Sequence, residues 1–179
     1  CEDYCGLYYK ELGTPVVTLA YFNLYGPRQK SSPVQKFMPT FIEHALQNKP
    51  LPIWGTGEQT LDAVFVKDTA EATVMALRRE EAVGRAIDVC TGVATKVRDV
   101  ANLVISMCNS NSTLELKPMR KGEPAMSHVV GDPSAAKKLL GWQASTSLSQ
   151  GLKKTIPFYV EHVKMKGLLK VHPRVQGLQ

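Results

Sequence analysis

The sequence predicts an α/β protein with parallel strand pairing, and three observations carry that prediction. Segments of helical periodicity alternate with short apolar runs along the whole chain. The run at 16–22 is largely apolar and partly β-branched, the pattern of a buried strand. Turn signals punctuate the runs, at Gly13, at Gly55-Thr56-Gly57, at Thr91-Gly92 and at Gly141.

Taken in order, residues 2–12 read as the back end of a helix, closed by Gly13 and followed by Pro15. After the strand at 16–22, residues 31–34 form a loop. Phe41, Ile42, Ala45 and Leu46 fall at helical spacing within 39–47. Residues 51–54 and 63–66 are short strands. Asp68 reads as the N-cap of a helix over 69–79, with Glu71 three positions on completing a capping box. A strand at 86–89 precedes a helix over 95–108 with Val97, Val100, Ala101, Val104 and Ile105 on one face. A short strand follows at 114–116. Asp132 or Ser134 then caps a helix that runs to Leu140, and 148–164 is an amphipathic helix interrupted by Pro157. Beyond 165 the chain reads as a loose basic tail over 166–179.

Composition narrows the function classes. With 44% hydrophobic and 21% charged residues, the 179-residue chain has the make-up of a soluble globular protein. No apolar run approaches the roughly 20 residues that span a bilayer, so no membrane role is expected. The four cysteines show neither C-x-x-C nor zinc-like spacing, which predicts no metal site and a reduced, cytoplasmic setting. Cys90 and Cys108 lie in apolar segments and read as small buried hydrophobes. The net charge of +6 is scattered, apart from a cluster at Lys117, Arg120 and Lys121 and the basic tail. With few interleaved aromatics, that suits a small anionic ligand better than a nucleic acid.

Five stretches carry chemistry: Leu-Ala-Tyr-Phe-Asn-Leu-Tyr-Gly-Pro-Arg at 19–28, Met-Pro-Thr-Phe-Ile at 38–42, PLPIWGTGEQTLDAVFVKDTAEA at 50–72, Arg-Lys-Gly-Glu at 120–123, and GDPSAAKKLLGW at 131–142. In this order and spacing they resemble the extended short-chain dehydrogenase/reductase family, in particular its NAD-dependent nucleotide-sugar epimerases and dehydratases, of the UDP-glucose 4-epimerase kind. The likeness covers roughly residues 2–160.

The resemblance implies the last strands and helices of a Rossmann-like parallel sheet, plus the small substrate-binding lobe, over 1–165. The glycine turn that holds a dinucleotide pyrophosphate is absent from this sequence, and so is the catalytic Tyr-x-x-x-Lys pair: Lys10 stands one, two and six positions from Tyr9, Tyr8 and Tyr4. By this alignment the chain begins just after the catalytic lysine, the amino-terminal NAD-binding half lies elsewhere, and no catalytic residue is assigned here. A parent polypeptide would use NAD, which this chain alone would not bind well.

The resemblance also implies roles for particular residues. Phe22 would lie near the nicotinamide. Asn23 would hydrogen-bond the substrate's diphosphate or sugar, the alternative being a cap on a strand-to-loop turn. Lys36 and Phe37 match positions that meet the nucleotide. Pro52, Ile53 and Trp54 match a strand whose backbone pairs with the base edge, with the Trp54 indole either stacked on the base or part of the core. Arg120 would clamp the diphosphate bidentately and Glu123 would accept a ribose hydroxyl.

Two positions depart from the family wording. Leu61 stands where an arginine normally clamps the diphosphate, and Ala20 stands for another arginine. The expected function is therefore binding of a nucleotide-diphosphate sugar by the carboxyl-terminal part of such an enzyme, with homodimers the family's common state. The alternatives are a non-catalytic binding or scaffold protein, or a truncated gene fragment that folds by borrowing a partner.

Overall fold

A computed structural model describes residues 2–31, 36–122, 124, 127–165 and 167. The basic tail therefore lies outside the described residues, as do most of the loop expected at 31–34 and Glu123. The elements run α1 (Glu2–Leu12), β1 (Thr18–Tyr21), β2 (Asn23–Tyr25), α2 (Phe37–Leu46), β3 (Leu51–Trp54), β4 (Thr60–Leu61), β5 (Ala63–Phe65), α3 (Val66–Ala76), β6 (Ala86–Val89), β7 (Thr95–Lys96), α4 (Val97–Met107), β8 (Leu114–Lys117) and α5 (Leu148–Met165). A 3₁₀ turn covers Glu80–Ala82 and a π-turn covers Ala136–Leu140.

Strand pairing is parallel for β1–β6, β2–β5 and β3–β8, and antiparallel only for β4–β7. The α/β class with parallel pairing is what the sequence predicts. The strand expected over 16–22 is in fact two. Thr18–Tyr21 pairs with β6, and after a break at Phe22, Asn23–Tyr25 pairs with β5. Asn23 thus opens a strand and caps no turn: its amide donates to the Asp62 carbonyl at 3.1 Å. Strand β1 is also only half-buried, with Tyr21 44% exposed, since among the described residues it has a neighbour on one edge alone.

The short strand β5 is shared by two cores. Its alternating side chains send Ala63 and Phe65 into one and Val64 into the other, as period-two geometry requires. The larger core joins α2, α4 and α5 around Phe41, Ile42, Leu51, Ile53, Val104, Leu152 and Ile156. The smaller lies under β1, β6 and α3 around Ile87, Val89, Leu140 and Trp142. This is the division into sheet end and lobe that the resemblance implies.

Two buried carboxylates tie the layers together. Asp62, fully buried, accepts hydrogen bonds from the Thr91 amide (2.8 Å), the Thr91 hydroxyl (2.6 Å), the Gly92 amide (2.8 Å) and the Gly131 amide (3.4 Å). Asp68 is not the helix cap that the sequence pattern suggests. Helix α3 begins earlier, with Phe65 at the cap position and no side-chain cap. Asp68 points out of the first turn to accept from the Ser145 amide and from the Thr146 amide and hydroxyl, at 2.7–3.0 Å. Buried polar groups of this kind are accommodated where such donors replace water.

Candidate functional site

The residues singled out in the sequence fall in two places. The first is a narrow hollow between α2 and β3. Helix α2 starts at Phe37, with Pro39 tolerated inside the first turn, so Phe37, Thr40 and Phe41 share one face at i, i+3 and i+4. Phe37 meets Phe41 edge-to-face, with centroids 5.8 Å apart at 71°. Across from them stand Pro52 and Trp54, two residues apart and hence on one side of β3. Arg120 completes the lining of this half-open hollow, whose volume is about 20 Å³.

The indole of Trp54 carries two cations. The Arg120 guanidinium carbon lies 4.7 Å from the ring centroid and the Lys117 ammonium 5.7 Å, both inside cation–π range. Lys117 also pairs with Glu115 at 3.4 Å. On β3 the Leu51 and Gly55 amides donate to the Thr113 and Lys117 carbonyls, so the Pro52 carbonyl and Trp54 amide face away from β8. Gln59 donates its side-chain amide to the Trp54 carbonyl at 2.5 Å, holding that edge. At Gly55 the backbone has φ +78°, a left-handed conformation that favours glycine.

The hollow thus gathers Phe37, Pro52, Trp54 and Arg120 of the expected set and adds Thr40, Phe41, Lys117 and Gln59. Helical spacing from Phe37 points to Thr40 and Phe41. Gln59 lies within the quoted 50–72 stretch. Lys36 and Ile53 are placed differently. Lys36 is exposed at the α2 cap position, where its carbonyl accepts from the Thr40 hydroxyl at 2.7 Å. Ile53 is 1% exposed, its side chain in the larger core, leaving only its backbone on the strand.

The second place is the break between β1 and β2. Phe22 is half-buried against the smaller core, and its ring tip presses on Gly131, where a Cβ would lie 2.7 Å away. Beside it Asn23 is half-buried, and among the described residues no hydrogen bond is made to its side-chain amide. Cys90 also touches Gly131. Its thiol is pushed up to about 12 by burial and by the carboxylates of Asp62, Asp88 and Asp132, so it stays protonated and inert. Leu61 is 7% exposed and part of the larger core, which leaves no polar group at that point of β4. Among the described residues no group of His, Cys, Asp and Glu is arranged to hold a metal. No helix there is long and apolar enough to cross a membrane.

These residues offer a planar aromatic face with cations above it and a separate half-buried amide. That set suits a heteroaromatic ring bearing phosphate.

Residues 1–90 match the model of the NAD dependent epimerase/dehydratase family. The uncharacterized UDP-glucose epimerase YtcB of Bacillus subtilis is 32% identical over 157 residues, covering 88% of this chain and 48% of that protein. The crystal structure of UDP-glucose 4-epimerase with UDP-glucose from Thermotoga maritima superposes with a TM-score of 0.84 at 30% identity, over 90% of this chain and 51% of that one. A Bacillus cereus UDP-glucuronic acid 4-epimerase in complex with UDP-glucuronic acid and NAD gives 0.80 at 29% identity, over 90% and 50%. The chain spans about half the length of the curated relatives it matches. With half its residues under the family model and its fold that of solved members, the chain belongs to the NAD-dependent epimerase/dehydratase family.

Proposed function

We propose that residues 1–165 are the carboxyl-terminal, nucleotide-sugar-binding part of an NAD-dependent epimerase or dehydratase. The observation that carries this reading is the Trp54 hollow with Arg120 and Lys117 over its indole. A base would stack on Trp54 and meet the outward edge of β3 at the Pro52 carbonyl and Trp54 amide. Arg120 and Asn23 would donate to the diphosphate or sugar, Lys36 would add exposed positive charge at the mouth, and Glu123 would accept a ribose hydroxyl. Relatives whose names specify UDP-sugars favour a uridine diphosphate sugar as the ligand. Phe22 would form one wall of the nicotinamide pocket. No catalytic step is assigned to this chain, whose contribution is binding and orientation.

The outer edge of β1 is where the sheet of a complete polypeptide would continue, and a homodimer in the cytoplasm is its expected state. Titration calorimetry of the complete polypeptide with UDP and UDP-glucose tests the reading. Heat of binding is expected, with affinity falling about tenfold in Asn23→Ala, the size of one hydrogen bond to a charged group, and further in Trp54→Ala. No heat with any nucleotide would overturn it.

One observation favours a second reading, a non-catalytic binder on the same lobe. Leu61 is packed in the core where the resemblance calls for a phosphate-clamping arginine, and leucine donates nothing. Loss of one partner to a buried charge costs about 2–5 kcal/mol. Nucleotide binding weaker by that margin than in Leu61→Arg, together with no turnover of the complete polypeptide, would support the binder.

A further inference from the structure

We propose that Lys117 is a phosphate ligand of the Trp54 site and that Glu115 is its built-in competitor. Glu115 holds the ammonium in the free protein and yields it to a nucleoside diphosphate. The inference rests on the reading of Trp54 as the platform for the base.

The register of β3 on β8 sets Pro52 opposite Glu115 and Trp54 opposite Lys117. Cross-strand partners project to the same side of a ladder, and so do residues two apart on one strand. Glu115 and Lys117 therefore stand on the face that carries Pro52 and Trp54, beside the ground a base would occupy. The Lys117 ammonium is 5.7 Å from the indole centroid and 3.4 Å from Glu115 Oε2. Both side chains meet solvent, Lys117 at 35% exposure and Glu115 at 53%. Among the described residues, these two side chains make no other ion pair or hydrogen bond.

Such a pair is easily exchanged. Between solvent-exposed side chains the attraction is weak, because water screens it and two flexible stems must be ordered to make it. Lysine is a compact charge on a four-carbon stem with three rotatable donors, so its ammonium can turn to a new partner without disturbing the ladder. A diphosphate beside Trp54 offers it more charge and more acceptor oxygens than one carboxylate. Glu115 loses that exchange, yet its charge stays on the same face and weakens the outcome. It is thus a positioning residue that acts through Lys117, and neutralising it releases the lysine for phosphate. A nucleoside without phosphate gains nothing from either residue's charge.

The ratio of UDP to uridine affinity, measured by titrating each into the complete polypeptide, reads this exchange. A change in the platform alone moves both ligands together and leaves the ratio where it was. In Glu115→Gln the ratio should rise about two- to fivefold, the strength of an exposed ion pair. In Lys117→Gln it should fall about tenfold, that of one charge-assisted hydrogen bond. In the double variant Glu115→Gln should add nothing, because the cation it would release is gone. A rise of the same size without Lys117 would make Glu115 a source of general repulsion and overturn the competition. An unchanged ratio in either single variant, with Trp54→Ala still weakening UDP, would overturn the proposal and leave the base site standing. If Trp54→Ala leaves UDP affinity untouched, the base reading falls and the exchange at Lys117 falls with it.

Discussion

At the scale of single residues, the groups that matter most for stability are polar and buried. Asp62 satisfies three backbone amides and one hydroxyl from two separate segments, 91–92 and Gly131. Replacing it by alanine strands those donors away from water, so Asp62→Ala should cost about 3 kcal/mol or more. Urea unfolding monitored by circular dichroism checks this, and an unchanged midpoint would contradict the role given to Asp62. Cys90, Cys108 and Tyr159 form a second group, all raised to about 12 with burial as the largest cause. Their ionised forms are disfavoured in the fold, so the folded chain holds more protons than the unfolded one between the ordinary values and about 12. The stabilisation is complete below about pH 9 and is lost as pH rises from there toward 12. Unfolding midpoints measured from pH 7 to 11 should accordingly fall in the alkaline half of that range. By the same token, neither Cys90 nor Cys108 should react with iodoacetamide at pH 8 in the folded protein.

At the scale of elements, the close approach of α5 to β2 sets the geometry of the larger core. The Tyr25 hydroxyl donates to the Leu148 carbonyl at 3.3 Å and lies where a Cβ on Gly151 would be only 1.9 Å away. Gly151 is thus a packing requirement, in the first turn of α5. Gly151→Ala should destabilise by about 1–3 kcal/mol through overpacking, despite its gain in helix propensity. Tyr25→Phe removes the clashing oxygen, so the double variant should recover part of that loss, a coupling that a double-mutant cycle reads directly. Additive effects would show that Tyr25 and Gly151 do not meet. Helix α3 teaches a related lesson about pattern. Asp68 with Glu71 spells a capping box, yet the helix begins two residues before Asp68 and the carboxylate serves the 145–146 loop. A local motif was overridden by a long-range partner, because three donors in a buried site outweigh one amide at an exposed helix start.

At the scale of the whole molecule, much apolar surface around β1 stays uncovered among the described residues. Helix α1 has no buried residue, with Tyr4, Leu7, Tyr8 and Leu12 all more than half exposed, and Leu77 beyond α3 is 84% exposed. The groove beside β1, between Val17, Leu19, Tyr21 and Leu77, has a volume of about 790 Å³. A strand edge unpaired among the described residues and flanked by that much apolar surface invites association. Residues 1–179 expressed alone should therefore show a weight-average mass that rises with concentration in sedimentation equilibrium. A strict monomer at high concentration would refute this.

The sequence by itself determined the α/β class, the order of nearly all helices and strands, the family and most of the lining of the Trp54 hollow. Those features are written in local periodicity, turn chemistry and motif order, which need no knowledge of distant neighbours. Only the tertiary structure decided that 16–25 is two strands with different partners, that β4 runs antiparallel to β7, and that Asp68 is a tether. It also decided that the Ile53 side chain lies in the larger core, that Leu61 is a core residue, and that Arg120 lies across the indole of Trp54. Each of these depends on which residues far apart in the chain compete for the same donors, faces and space, and that contest is settled only when the layers pack.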